Sequence, residues 1–360
     1  MSLKRIEIAG FKSLRELKLN LRALNVLIGA NGAGKSNFIS LFEMLNQMTR
    51  KNFQLFVPQK GGANALLHFG EKNTARITLK LLFEQNEYAC SWAPTVDDRL
   101  VFEEESCGSV NGNALARLES FGSGHQESKL PDAVPSHHTL AAVLENLKSQ
   151  RVYHFHDTSE SAQMKKIGDI NGNLFLRPDA GNLAAFLFRL QTTHPEHYEA
   201  IRDTIRLVAP FFDDFILRPL PQNEHKIQLE WRERGSDYSF LAHHLSDGTL
   251  RFICLATLLL QPEPPSTVII DEPELGLHPY AVHVLASLLR SAAERTQIVV
   301  CTQSVTLVDQ FAPEDLLIVE RVDGATVIAP LEPERLSSWL EEYTLGELWE
   351  KNVIGGRPSP

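Results

Sequence analysis

The sequence predicts an α/β fold organised around a phosphate-binding turn. Three observations carry this. A glycine-rich turn occupies residues 29–36, an apolar strand ending in two acids occupies 267–272, and an apolar helical run at 250–260 leads into that strand. Strand–turn–helix and helix–turn–strand units in one chain are the alternation expected of an α/β protein.

The first unit opens with the short apolar strand Leu24-Asn25-Val26-Leu27-Ile28 and closes with a helical period from Asn37 to Leu45. Between them lies Gly29-Ala30-Asn31-Gly32-Ala33-Gly34-Lys35-Ser36, the G-x-x-x-x-G-K-S spacing of a P-loop. Glycines let the backbone wrap a phosphate chain so that successive N–H groups point at the anion. The following helix adds its positive N-terminal end. Residues 29–36 and Asn37 are therefore the candidate ATP ligands. Lys35 is expected to reach the β- and γ-phosphates as a catalytic residue, and the Ser36 hydroxyl to bind Mg²⁺.

Far downstream, Thr267-Val268-Ile269-Ile270-Asp271-Glu272 has the form of a Walker B strand. Asp271 is the expected Mg²⁺ ligand, directly or through water, and Glu272 the group that polarises the attacking water. Immediately upstream, Leu245-Ser246-Asp247-Gly248-Thr249 precedes the apolar run Leu250 to Leu260, which passes through Pro262-Glu263-Pro264-Pro265 into the strand. Ser246 and the backbone around Gly248 would make a helix N-terminus able to bind a γ-phosphate; an ordinary serine cap is the simpler alternative.

This Leu-Ser-x-Gly arrangement before a Walker B strand resembles the signature motif of ABC-type ATPases. The opening Leu3 to Leu14, with Phe11-Lys12-Ser13, and the run Asp271-Glu272-Pro273-Glu274-Leu275-Gly276-Leu277-His278-Pro279 look like the RecF/SMC-like branch. The tail Tyr343 to Pro358 is similar to the end of a group of compact bacterial and archaeal ATPases described as AAA-family or RecF-like. The resemblance implies a P-loop NTPase fold of the ABC-type head: a mixed central sheet, an antiparallel β lobe and an inserted helical lobe. It also implies two heads stacked head-to-tail as a homodimer, with Ser246 and Gly248 of one meeting the γ-phosphate held by the other. Most ABC enzymes place a switch histidine where Gln303 falls in Thr302-Gln303-Ser304. Glutamine bonds a phosphate but does not titrate near neutrality, so hydrolysis is expected to be slow. The Q-loop position falls at His156-Asp157-Thr158-Ser159, which holds no glutamine. His156 and Asp157 are candidates for sensing Mg²⁺ through water, against the alternative of a plain polar turn.

The rest of the chain is assigned by pattern. Residues 74–84 and 87–93 read as a β-hairpin, with 99–103 as a third strand. Residues 104–138, rich in Gly, Ser, Glu and Pro, read as a mobile loop. Residues 180–210 are helical by period, and 214–232 extended. The final helix is expected to dock through Trp339, Leu340, Tyr343, Leu348 and Trp349. The domains expected are 1–157 with 245–335 as the nucleotide-binding core, 158–244 as the signature-presenting lobe, and 336–360 as a docked tail. The middle lacks the sustained heptads of SMC arms, and with about thirty residues after 328 an appended Toprim nuclease domain is not expected.

Composition bounds the function classes. The chain has 360 residues, 43% hydrophobic and 22% charged, as in globular proteins of more than one lobe. A net charge of −10 argues against a broadly basic nucleic-acid surface but leaves room for a local groove. No apolar run approaches the ~20 residues that span a bilayer, the N-terminus reads as a strand with no signal peptide, and four cysteines show no metal spacing. A cytoplasmic protein without a membrane partner is expected. The thirteen histidines, including His137-His138 and His243-His244, have no metalloprotease or zinc-finger spacing. The role expected from resemblance is an ATP-driven switch in DNA maintenance or repair, or in control of a separately encoded anti-phage effector. A nucleotide-gated binding module with incidental hydrolysis, and a transporter energy subunit, are the alternatives.

Overall fold

The computed structural model describes residues 2–111, 114–133, 138–336 and 338–356. The chain forms two compact units, one of Met1–Val152, Pro265–Ile269 and Thr296–Pro360, the other of Tyr153–Pro264 and Ile270–Arg295.

The first unit is built on two sheets. One is mixed and six-stranded, ordered Ala325–Pro330, Leu316–Val322, Leu24–Ile28, Gln297–Thr302, Thr267–Asp271, Gln150–Tyr153. Leu24–Ile28 runs parallel to Gln297–Thr302, with Val26 opposite Val300, and parallel to Leu316–Val322; Ala325–Pro330 closes the edge antiparallel. Every residue of Leu24–Ile28 and of Gln297–Thr302 is buried, which is why both are largely apolar and show no alternation. The second sheet is antiparallel, ordered Leu14–Asn20, Leu3–Phe11, Ile77–Phe83, Asn86–Pro94, Leu100–Asn111, Ala114–Gly122. Its period-two residues Ile6, Ile8, Leu79, Leu81 and Trp92 join Phe38, Phe42 and Met44 of the helix Lys35–Thr49 in one buried cluster, together with Leu27 and Val299 of the mixed sheet. The helix after the glycine-rich turn is thus covered by both sheets. Each fully buried Phe or Leu contributes about 1.5–3 kcal/mol, so the turn rests on a well-packed support.

The expected mobile loop at 104–138 is not found. Leu100–Asn111 and Ala114–Gly122 form a strand pair and Leu130–Ala133 a short helix; residues 112–113 and 134–137 lie outside the described residues. Polar composition conceals the strand because its inward face carries an acid. Glu105 is fully buried between Phe102 and Cys107. It accepts bonds from Tyr88 Oη at 2.8 Å, His125 Nε2 at 2.9 Å, the Lys129 N–H at 2.9 Å and Ser128 Oγ. Four donors replace the water it gives up.

In the second unit, the helices Leu183–Thr193 and Pro195–Val208 fill the segment expected to be helical, and short strands between Phe212 and Glu233 fill the extended one. The helix Asp247–Leu260 is buried from Leu250 to Leu259, packed between Pro195–Val208 and Pro279–Ala293. An all-round apolar helix needs such cover.

The C-terminal helix is shorter than the sequence suggests. It spans Leu345–Glu350, started by a capping box in which Thr344 and Glu347 bond each other's backbone N–H groups. Trp339, Leu340 and Tyr343 sit in the turns before it, with Trp339 45% exposed, and only Leu348 and Trp349 of the expected set are buried. Among the described residues, no helix is long and apolar enough to cross a membrane.

Candidate nucleotide site

In the first unit, the turn 29–36 joins the strand Leu24–Ile28 to the helix Lys35–Thr49. Its glycines are used where backbone space or sign demands them. Gly34, the N-cap, has φ +115°, and a Cβ there would run into Thr326 Oγ1. Gly32 has φ +80° but open space around it, so its constraint is conformational alone. Lys35 is 6% exposed and donates to the carbonyls of Gly29 and, at 3.1 Å, Ala30. Asn31, Gly32 and Ser36 are exposed, Ala30, Gly34 and Asn37 half-buried, and Ala33 buried. The exposed Ser36 hydroxyl at the first turn of a long helix, in a backbone that excludes side chains, fits a Mg²⁺-phosphate ligand set.

A polar network buttresses the turn from below. Thr326 Oγ1 donates to the Ala33 carbonyl at 2.8 Å and lies 2.7 Å from Ser13 Oγ, which accepts from Asn37 Nδ2 at 2.6 Å. Lys12, one residue away, donates to Ser40 Oγ at 2.8 Å. Burial, then the neighbouring Lys60 ammonium, pulls Lys12 below the usual lysine value, with Glu43 opposing. Beside this network opens a cavity of about 390 Å³ lined by Lys12, Asn37, Lys60, His68, Phe69 and Arg321. It shares Asn37 with the turn. Arg321 also reaches the Gly32 carbonyl at 3.4 Å.

Gln303 lies in the first unit too, half-buried in the turn between Gln297–Thr302 and the short helix Val305–Val308. Ser304 caps that helix, accepting from Leu307 N–H at 3.2 Å.

The second unit holds the remaining candidates. Asp271 ends its strand half-buried, and Glu272 follows with φ +42°. A non-glycine residue in the left-handed region costs about 1–2 kcal/mol, so the surroundings hold Glu272 there against its preference. His156 Nε2 donates to the Asp271 carbonyl at 2.8 Å. Asp157 turns away to Ser159, accepting from its hydroxyl at 2.6 Å and its N–H at 3.1 Å, and these bonds hold the carboxyl below its usual value. The structure therefore brings His156 to the end of the acidic strand and commits Asp157 to a local turn.

Ser246 is exposed and caps the helix Asp247–Leu260, its Oγ accepting from the Thr249 N–H at 3.1 Å. Gly248 is fixed by close approach: a Cβ there would meet the carbonyl of Gly276, which itself has φ +74°. The turn after the acidic strand is thereby laid against the start of the helix Asp247–Leu260.

Sequence reasoning missed Arg251, which is 5% exposed. Its guanidinium donates to the carbonyls of Phe155 at 3.0 Å, His156 at 3.1 Å and Leu275, tying three segments together. A lone cation inside Leu250 to Leu260 was the available clue. Ser13 and Thr326 were missed as well, since their pairing spans most of the chain.

Comparison with known proteins bears on the family and the fold. A family model described as "AAA domain, putative AbiEii toxin, Type IV TA system" matches residues 24–309. No curated protein sequence matches the chain. Among solved structures, an SMC head bound to the C-winged helix domain of ScpA is similar at TM-score 0.63 and 15% identity, covering 93% of this chain and 99% of that one. The Pyrococcus furiosus Smc head with an extended coiled coil, bound to the C-terminal domain of ScpA, gives 0.54 and 15%, covering 95% and 99%. The Pyrococcus yayanosii Smc head with a coiled coil and joint gives 0.52 and 12%, covering 95% and 99%. At these identities the likeness establishes a shared fold, that of SMC head domains.

Proposed function

The chain belongs to this AAA-domain family and is a P-loop ATPase, and we propose that it works as an ATP-gated switch that closes as a head-to-tail homodimer. The observation that carries this reading is the exposed N-terminus of the helix Asp247–Leu260. Ser246 and Asp247 are exposed there, and Gly248 keeps the backbone bare of a side chain. A helix N-terminus so presented binds anions, and a sandwiched γ-phosphate supplies one.

In this proposal Gly29 to Asn37 wrap the phosphates, and Lys35 leaves its own loop carbonyls to reach the β- and γ-phosphates. Ser36 would be the first unit's Mg²⁺ ligand and Asp271 the second unit's, and Mg²⁺ when bound would neutralise phosphate charge. Glu272 takes a proton from the attacking water, and Gln303 bonds the γ-phosphate. The sugar and base extend over the cavity beside Asn37, where Lys12, Arg321 and Phe69 offer charge and an aromatic face. A firm switch needs roughly a 1000-fold preference of ATP for the dimer, ~4 kcal/mol. A few charge-assisted bonds per site are of that size. Regulation of a separately encoded effector, or action on DNA, is the role proposed for the closed state.

Complementation between inactive subunits tests the sandwich. Lys35→Ala retains a working signature, and Ser246→Arg retains a working P-loop. Mixed, they should regain turnover above either alone, because one composite site per heterodimer is intact. No gain on mixing would contradict the head-to-tail arrangement.

A further inference from the structure

Three glycines thread the C-terminal segment between two parts of the first unit's nucleotide machinery. The helix Leu345–Glu350 starts against the short helix that follows Gln303. There the Gly346 N–H donates to Asp309 Oδ1 at 2.6 Å, and a Cβ on Gly346 would lie 2.5 Å from Val305 Cγ1. Any side chain at 346 would force the Val305 and Asp309 side chains to shift. Leu348 and Trp349 then bury themselves, and the chain turns back through Gly355 and Gly356, both at φ +81°. The Gly356 carbonyl accepts the Ala30 N–H of the P-loop at 2.7 Å, while its own N–H donates to Glu320 Oε1 at 2.9 Å. Gly29 is pinned from the strand side, where a Cβ would strike the Val319 carbonyl. The entry to the P-loop is therefore held between the strand Leu316–Val322 and the tail.

We propose that Thr344–Gly356 is a strap that positions the P-loop and links it to the Gln303 turn. With Gly356 seated, the Ala30 N–H is committed to the tail, and the peptides that follow are already aimed when phosphate arrives. An unseated tail leaves that ordering to be made at the moment of binding, at a cost in affinity. Gly356 and Glu320 are positioning residues; neither is placed against the reacting atoms. The effect on ATP rests on the reading of Gly29 to Asn37 as the nucleotide site, whereas the restraint on Ala30 does not.

The test uses the full chain and three variants. Gly356→Pro removes the N–H and forces φ negative, Glu320→Ala removes the acceptor, and Glu320→Gln keeps an oxygen in its place. Two readouts are taken: hydrogen exchange of the Ala30 amide without nucleotide, and MgATP affinity alongside kcat. Gly356→Pro should speed Ala30 exchange and weaken MgATP about ten-fold, ~1.4 kcal/mol, with kcat little changed. Glu320→Ala should follow part of the way, and Glu320→Gln should match the wild type. Unchanged Ala30 exchange in Gly356→Pro would overturn the strap, as would Glu320→Gln behaving like Glu320→Ala. Faster Ala30 exchange in Gly356→Pro, with no MgATP binding by the wild type, would uphold the restraint and place the fault in the nucleotide reading.

Discussion

Arg251 donates from Nη2 to the carbonyl of His156 at 3.1 Å, and His156 in turn donates from Nε2 to the carbonyl of Asp271 at 2.8 Å. The helix Asp247–Leu260 is thus joined through two side chains to the end of the strand that carries the proposed Mg²⁺ ligand and base. The two bonds are the route by which a shift of this helix would reach Asp271 and Glu272.

The first prediction follows from that chain of bonds. Arg251→Ala leaves three carbonyls without their donor, a loss of about 2–4 kcal/mol in urea unfolding. It should depress kcat while MgATP binding is retained. Arg251→Lys keeps the charge but not the fork, and should recover part of the stability and less of the turnover. Equal kcat in all three proteins would sever the link between helix and base.

The glycines of the P-loop should not be equivalent. Gly34→Ala drives a Cβ into Thr326 Oγ1 at a φ of +115°, whereas Gly32→Ala meets open space at φ +80°. Gly34→Ala is expected to abolish MgATP binding as measured by titration calorimetry. Gly32→Ala should cost about 1 kcal/mol of stability and weaken binding only partly. The reverse order would contradict the buttress assigned to Thr326.

Turnover should be slow and dependent on Glu272. With Gln303 as the proposed γ-phosphate contact, which does not titrate near neutrality, basal kcat is expected below roughly one per second, under the ordinary enzyme range. Glu272→Gln should lower it a further ~100-fold or more with affinity preserved. Rapid phosphate release by Glu272→Gln would remove Glu272 from the role of base.

Glu105 offers a test of the antiparallel lobe independent of ATP. Glu105→Ala leaves four donors unmet, the Tyr88 and Ser128 hydroxyls among them buried, and should cost about 2–4 kcal/mol in chemical denaturation. Glu105→Gln retains one of the two acceptor oxygens and should cost less. An unperturbed Glu105→Ala would mean the strand Leu100–Asn111 does not depend on its acid.

These residues also show what the sequence made legible. Lys35, Ser36 and the Gly29–Gly34 spacing were readable because the chemistry of a phosphate cradle is local: one turn, one strand and one helix state it in full. The run Leu250 to Leu260 was readable as a buried helix because its apolar content is continuous. Glu105 was not, since an acid inside a strand looks like a loop until the partners from 88 and 125–129 are known. The bonds of Ser13 with Thr326 and of Ala30 with Gly356 were equally hidden, as each joins residues about three hundred positions apart. Arg251 stood in plain view, yet its three carbonyl partners exist only in the folded chain.

The most direct measurement is the solution mass of Glu272→Gln by light scattering, with MgATP and with MgADP. The account predicts a doubling of mass with MgATP and none with MgADP, because only ATP carries the γ-phosphate that bridges to Ser246 and Gly248 of the partner. The same mass in both nucleotides would contradict the ATP-gated dimer.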